Sequence, residues 1–392
     1  MVSATNPESG TTTYEYGNHR VTKRTDAKGQ ETRYSYDTYG RLTQAQHWAI
    51  SWDPMTNTLR FQEQGDQRVM YYYDNNPLDS TYSQNSWGRL AAVTFHDFSY
   101  MYSYNPAGRV IQQQMKTDSF TEAGDRIEFN ATYSWDSEGR MTTIGYPGDG
   151  PVYQMTFDAM GRVGSMQDVT NGSYPPPATV ATATYGVAGE ITGLGYFGVG
   201  ESRTYNSLFQ MTRQTVNGAM DMQYNYTAGA NNGRITSSVD WIAGETVNYG
   251  YDALNRLASA SATNGSWGQA FSYDGFGNLT GKTATAGSPP TLSASIDPAT
   301  NRQVGGAYDA NGNPAGVTFD VENRMTNLGS YDSYVYDPAG KRVKHVYYPP
   351  MKEFYFYGIG GQKLETLRCG DTGSGLNCNN GKWFSVYFGG SW

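Results

Sequence analysis

The sequence predicts an all-β fold assembled from tandem hairpins. Three observations carry that prediction: a tyrosine-rich phrase recurs along the chain, glycine is abundant enough for many tight turns, and no stretch shows helical apolar spacing. The phrase is Y-x-Y-D-x-x-G-R followed by an apolar residue. Its plainest copies are residues 34–43 (YSYDTYGRLT), 102–111 (YSYNPAGRVI) and 133–142 (YSWDSEGRMT). Others begin at Met155, Tyr249, Phe271 and Tyr334, with weaker copies at Tyr71, Ala183, Arg203 and Thr318 and a split copy, YNYTAGANNGRIT, at Tyr224. Asp136 and Asp158 lie 22 residues apart, as do Asp252 and Asp274. Repetition on that scale marks a solenoid, a propeller or an array.

Each position of the phrase has a physical task. Tyr34 and Tyr36 flank Ser35, so alternation along a strand puts both rings on one face. Asp37 opens a turn, because its carboxylate can accept backbone N–H groups two residues on. Gly40 stands where the chain must leave with positive φ, which a residue without Cβ does at no steric cost. Arg41 and Leu42 then start the return strand, which makes D-x-x-G a hairpin loop built on a type I turn. Asn255 and Asn323 replace that glycine in two copies. Asn is the next most tolerant residue for positive φ, so the replacements support the turn. The same reading assigns turn roles to Asp136, Gly139 and Arg140; to Asp158, Gly161 and Arg162; to Asp252 and Arg256; to Asp274 and Gly277; and to Asp337 and Gly340. The recurrent arginine is expected to cover an aromatic face or to pair with an aspartate of an adjacent turn. A second phrase, D-P-x-T-N at residues 53–57 and 297–301, is also a turn, with Pro presetting φ.

Composition agrees with a sheet of this kind. The 392 residues include 47 Gly, 33 Tyr, 15 Phe and 8 Trp, and only 16% are charged, with a formal net charge of −8. Tyr buries a large ring while its hydroxyl stays wet or paired, which suits a thin sheet without a thick apolar core. The acidic balance argues against a nucleic-acid partner, which selects a basic stripe. No run approaches the length of a membrane-spanning segment. The first residues have neither a basic region nor an apolar one, so no secretory signal is read there. One array over residues 1–392 is expected.

These repeats, with the DPATNR phrase at residues 297–302 and YDANGN at residues 308–313, resemble the RHS/YD-repeat family over residues 14 to 388. The resemblance implies a long β-ribbon coiled as a superhelix into a hollow shell, here open or partial. Such shells enclose the C-terminal toxin domain of bacterial polymorphic and insecticidal toxins, and similar repeats occur in the teneurin adhesion receptors. The bacterial members end the shell with a core-associated segment bearing an autoproteolytic aspartate. That segment would lie beyond SVYFGG, so a piece of a longer secreted or surface protein is expected.

Motifs with catalytic connotations are weak. Cys369 and Cys378 are the only cysteines, and in an extracellular-looking β protein they suggest a disulfide closing residues 369–378. Free thiols are the first alternative and metal ligation the second, though zinc would need two more ligands and His345 is the only histidine nearby in sequence. Asp371-Thr372-Gly373-Ser374 resembles an aspartic protease loop, but such enzymes need a second carboxylate, and no second D-T-G is present. Residues 193–198 spell G-x-G-x-x-G, yet a dinucleotide site needs a helix opening there. Gly281-Lys282-Thr283 lacks the glycine spacing of a phosphate loop. The histidines at 19, 47, 96 and 345 are scattered. No metal, cofactor or catalytic residue is therefore assigned.

Three functions fit, in descending order. The first is a non-catalytic scaffold that encloses or presents a polypeptide such as a toxin domain. The second is a glycan-binding adhesion module using the aromatic rows, and the third is a polysaccharide-active enzyme. Self-association through unpaired strand edges is a further expectation.

Overall fold

The computed structural model describes residues 2–117, 127–170, 178–229, 231–347, 351–371, 376–378 and 381–388. Among them, regular structure is β-strand apart from one 3-10 turn at Gly65–Gln67. Every assigned strand pairing is antiparallel and nearly all join neighbours in sequence, as hairpins demand. The all-β hairpin array is the fold the repeats predict.

One detail recurs in the hairpins. In the pair Glu31–Tyr36 and Leu42–Asp53, Ser35 faces Gln44 but Tyr36 faces Leu42, so Thr43 is extra. The same slip occurs at Thr184 and Tyr185, at Gly250 and Tyr251, and at Val335 and Tyr336. It is a β-bulge, which adds local twist next to each turn.

The chain divides into two compact units, residues 1–154 with 306–392, and residues 155–305. In the first unit, a sheet from the N-terminal half packs against strands from the C-terminal part. Phe98, Tyr100, Met115 and Phe129 are register partners or neighbours on one face. Phe98 meets Phe354 with ring centroids 6.5 Å apart, and Phe129 stacks on Phe356 at 5.6 Å. Phe95, Phe129, Met115, Phe354, Phe356 and Leu364 are all but sealed from solvent. Each such side chain stabilises by about 1.5–3 kcal/mol. The expectation of a thin sheet fails here, because the aromatic faces of two sheets close over one another. Polar bridges cross the same seam: Gln113 Nε2 donates to the Tyr357 carbonyl at 3.0 Å and Tyr146 Oη to the Ser385 carbonyl at 2.8 Å.

In the second unit, strands from Val163–Asp168 to Leu279–Ala286 form one sheet, hairpin after hairpin. Its buried apolar side chains are small, Val180, Ala181, Val216, Val247, Ala260 and Ala262, besides Met155 and Met166. One face carries Thr182, Thr184, Ser202, Thr204 and Thr215 with glycines between them, as the registers show. Ser202 and Thr215 hydrogen-bond across the strands at 2.8 Å, and Thr204 and Thr212 at 3.0 Å. A Cβ on Gly195 would stand 2.6 Å from Thr182 Oγ1, so glycine there gives the neighbouring threonine its room. Among the described residues of this unit Met155 and Met166 are the large apolar side chains that are buried, so the sheet depends on its ladders and on contacts between repeats.

Candidate functional site

The recurrent turn is the most elaborated polar site in the molecule. Asp37 Oδ1 accepts the Tyr39 amide at 2.9 Å and the Arg41 amide at 2.8 Å, while Oδ2 takes Arg41 Nε at 2.7 Å. The Gly40 amide donates to the Asp37 carbonyl at 2.9 Å and completes the turn. Asp158 with Arg162, Asp252 with Arg256, and Asp136 with Arg140 repeat the arrangement. In each of these three, the amide of the arginine holds the carboxyl below the usual carboxylate range, against the opposing effect of desolvation. At Asp274 the arginine is replaced by Asn278, whose amide nitrogen reaches Oδ2 at 2.8 Å. Asp337 likewise accepts the amides of Ala339 and Lys341. It is buried, and that burial pushes its carboxyl up.

The residues at the glycine position all have left-handed backbone. Gly40, Gly139, Gly161, Gly277 and Gly340 have φ of 78°, 86°, 77°, 93° and 79°, and Asn255 and Asn323 have 66° and 59°. Phe209 also occupies this slot at 57°.

The arginines do two things at once. Besides its own aspartate, Arg41 makes a bidentate pair with Asp74 of the following turn, at 3.0 and 2.7 Å. The hydrogen bonds to Asp74 and then Asp37 raise its pKa further. The guanidinium also lies over an aromatic ring of the next repeat: Arg41 over Tyr73, Arg109 over Trp135, Arg162 over Tyr185, Arg256 over Tyr273 and Arg324 over Tyr336, at 4.4–5.6 Å from the ring centres.

That ring carries a contact the sequence reading missed. The hydroxyl of the second tyrosine in a repeat donates to the carbonyl of the apolar residue after the preceding arginine position. Tyr36 reaches Val21, Tyr104 reaches Leu90, Tyr185 reaches Val163, Tyr251 reaches Ile235 and Tyr273 reaches Leu257, at 2.6–2.9 Å. Trp135 replaces tyrosine there and uses Nε1 to reach Val110 at 2.7 Å. The signal was present: the position holds Tyr or Trp in most copies, and both carry a donor at the ring's far end. At Tyr36, Tyr104, Trp135, Tyr185, Tyr251 and Tyr273 the repeat is thus stapled to the one before it by a hydrogen bond and a cation resting on the same ring.

Other polar clusters serve different ends. In the first unit, Glu322 Oε1 accepts Thr32 Oγ1 at 2.8 Å and lies 3.1 Å from His47 Nε2, while Arg24 pairs with Oε2 at 3.0 Å. Burial works to raise this carboxyl, but the bonds from His47 and Thr32 and the charge of Arg24 outweigh it and hold it at about 2. The cluster borders a cavity of about 310 Å³ lined by Tyr34, Tyr71 and Pro338 among others. Glu365 is the reverse case. It is buried with Oε2 unpartnered, and desolvation lifts it to about 7 despite Lys382 at 3.9 Å.

The remaining motifs resolve simply. Gly193 to Gly198 run along the strand Ile191–Tyr196 into a turn, with no helix to meet a pyrophosphate. Gly281-Lys282-Thr283 lies within the strand Leu279–Ala286. Cys369 and Cys378 form a disulfide. Residues 372–375 of the D-T-G-S loop lie outside the described residues. Among the described residues, no group of three or more His, Cys, Asp or Glu side chains is arranged to hold a metal ion. No helix there is long and apolar enough to cross a membrane, a statement that does not bear on β-barrels.

Comparison with known proteins places this geometry. The family model described as RHS Repeat matches residues 16–49. No curated protein matches the chain. The crystal structure of TcdB2-TccC3-Cdc42 shares the fold at a TM-score of 0.66 and 16% identity, over 94% of this chain and 20% of its own. The Photorhabdus luminescens Tc holotoxin pore with a mutated TccC3 gives 0.67 and 15%, over 97% and 21%. TcdB2-TccC3 gives 0.65 and 16%, over 96% and 21%. The chain thus spans about a fifth of the length of the structures it matches. Residues 16–49 match the RHS Repeat model, and the array of hairpins has the fold of those toxin-complex structures.

Proposed function

We infer that this chain is a non-catalytic scaffold: a stretch of RHS-repeat wall that encloses or presents another polypeptide, in a secreted or surface-exposed bacterial protein. One observation carries the reading, the staple between successive repeats. The aspartates, in place of serving as acids or bases, hold the amides of their own turns. The arginines, in place of binding anions, are spent on those aspartates and on tyrosine rings. A sheet built this way extends by adding repeats and needs no packed core at each step, which is what a wall requires. A toxin-like polypeptide as cargo is the reading's finer part, supported by the fold shared with structures that contain TccC3. The Cys369–Cys378 disulfide supports an oxidising location.

The two faces of the second unit's sheet allow a test. Leu194, Met222 and Tyr224 lie on one face and Thr184, Ser202 and Thr215 on the other. A photo-crosslinking residue placed at Met222 or at Thr184 in the producing cell should capture a polypeptide from the Met222 face only. Equal capture from both faces, or none from either, would overturn the scaffold reading.

A further inference from the structure

We propose that the second unit carries a binding site for a neutral oligosaccharide, on the polar face of its sheet around Arg213, Gln223 and Asn225. The repeat phrase is interrupted here. Gln210 occupies the arginine position, and the next turn is lengthened by the split copy YNYTAGANNGRIT. A groove of about 610 Å³ results, bordered by Thr204, Thr212, Arg213, Gln223 and Asn225, with the turns at Asn206 and Gly229 along its side.

The chemistry of that lining narrows the ligand. Arg213 faces Gln223 in register, and Asn225 follows two residues on, so the three side chains share a face. Arg213 is bound through Nε and one terminal nitrogen to Asp221, at 2.8 and 2.7 Å. The pair is neutral overall, which argues against an anion, yet three guanidinium N–H donors remain. Gln223 Nε2 donates to Asn225 Oδ1 at 2.9 Å, and Asn225 Nδ2 to Ser237 Oγ at 2.9 Å, which leaves each amide one further N–H. Planar amides and a guanidinium, fixed by one another and with donors to spare, match hydroxyl groups on adjacent ring carbons. An apolar ligand would leave these groups unpaired, at a cost that opposes its binding.

A second feature points the same way. Trp241 is 56% exposed, and its Nε1 donates to Gln223 Oε1 at 3.2 Å. Its amide also donates to the Asp221 carbonyl at 2.9 Å. Singly exposed aromatics are ordinary on a protein surface, but this one is tied to the amide row by its own N–H. Its open face is a platform on which the apolar side of a sugar ring can lie, while the ring's hydroxyls reach the amides. A mobile exposed tryptophan would not supply that geometry, because ordering it would cost affinity.

The test is calorimetric titration of the whole chain with cellohexaose, chitohexaose, mannohexaose and maltohexaose. At least one should bind, and raising salt to about 0.5 M should leave binding unchanged because no net charge is involved. Gln223→Ala and Trp241→Ala should each weaken it by about tenfold or more, with unchanged urea midpoints. Trp241→Phe should retain most of the affinity, and Trp87→Ala, an exposed tryptophan of the other unit, all of it. No binding by any of the four at about 10 mM would overturn the site, since that bounds Kd above the useful range. So would binding that survives both alanine variants. Capture of a sulfated glycan alone, lost on adding salt, would mean charge attraction and not this site.

Discussion

At the residue scale, the aromatic hydroxyl and the turn asparagine are the most exacting positions. Tyr273→Phe keeps the ring under Arg256 but leaves the Leu257 carbonyl without its donor, so stability should fall by about 1 kcal/mol in urea melts. Asn255 pairs with the same hairpin through backbone alone and has φ of 66°. Asn255→Gly should be neutral or slightly stabilising, and Asn255→Val should cost about 1–2 kcal/mol because a branched residue resists that conformation. Equal effects of the two changes would refute the backbone argument. Glu365, which is buried, and Glu322, which is half-buried, carry the largest shifts of the pH dependence. Glu365 titrates at about 7 in the fold, above its ordinary value of 4.5. The fold therefore favours its neutral form, and that stabilisation is complete below about pH 4.5 and lost as pH rises to about 7. Glu322 is shifted the other way, to about 2, so its contribution is present above pH 4.5 and lost on acidification toward 2. Melting temperature against pH should decline between about 5 and 7 in the native chain, and Glu365→Gln should flatten that decline.

At the element scale, a hairpin is a poor unit by itself, since a two-stranded ribbon is marginal in water. What makes it stable differs between the units. The strands Glu128–Trp135 and Met351–Tyr357 bury Phe129 against Phe356. Phe356→Ala should therefore cost about 3–5 kcal/mol, the usual range for emptying a sealed aromatic site. In the second unit the corresponding load falls on the staples. Arg256→Ala and Tyr273→Ala touch one ring, so their combined cost in a double-mutant cycle should be less than the sum of the singles. Strict additivity would show that the cation over the ring contributes nothing.

At the scale of the whole molecule, the hairpin array was legible because its information is local. Tyr-x-Tyr sets a strand, Asp and Gly or Asn set the turn, and repetition multiplies a weak signal into a strong one. The pairing of Arg41 with the turn after it was also legible, since an arginine at a fixed place beside a turn has few partners. What the sequence did not disclose is long-range. Nothing local distinguishes Phe129, sealed by a ring more than two hundred residues away, from Phe271 in the other unit. The tyrosine staple was missed for a similar reason, because its acceptor is a backbone carbonyl of the preceding repeat, which no residue type announces. The same contrast sets the last prediction. Amides opened by local fluctuation exchange according to how much packing must be undone. The strands of the first unit that carry Phe98, Phe129 and Phe354 should exchange slowest in deuterium. Those of the second unit between Ile191 and Tyr226, where the arginine position holds Glu190 and Gln210 and small side chains fill the interior, should exchange soonest. Within that unit, protection should rise again at Tyr251 and Tyr273, whose rings lie under Arg234 and Arg256. Uniform exchange from Ile191 to Ala286 would mean that the cation on the ring is incidental and that the strand ladders alone hold the sheet together.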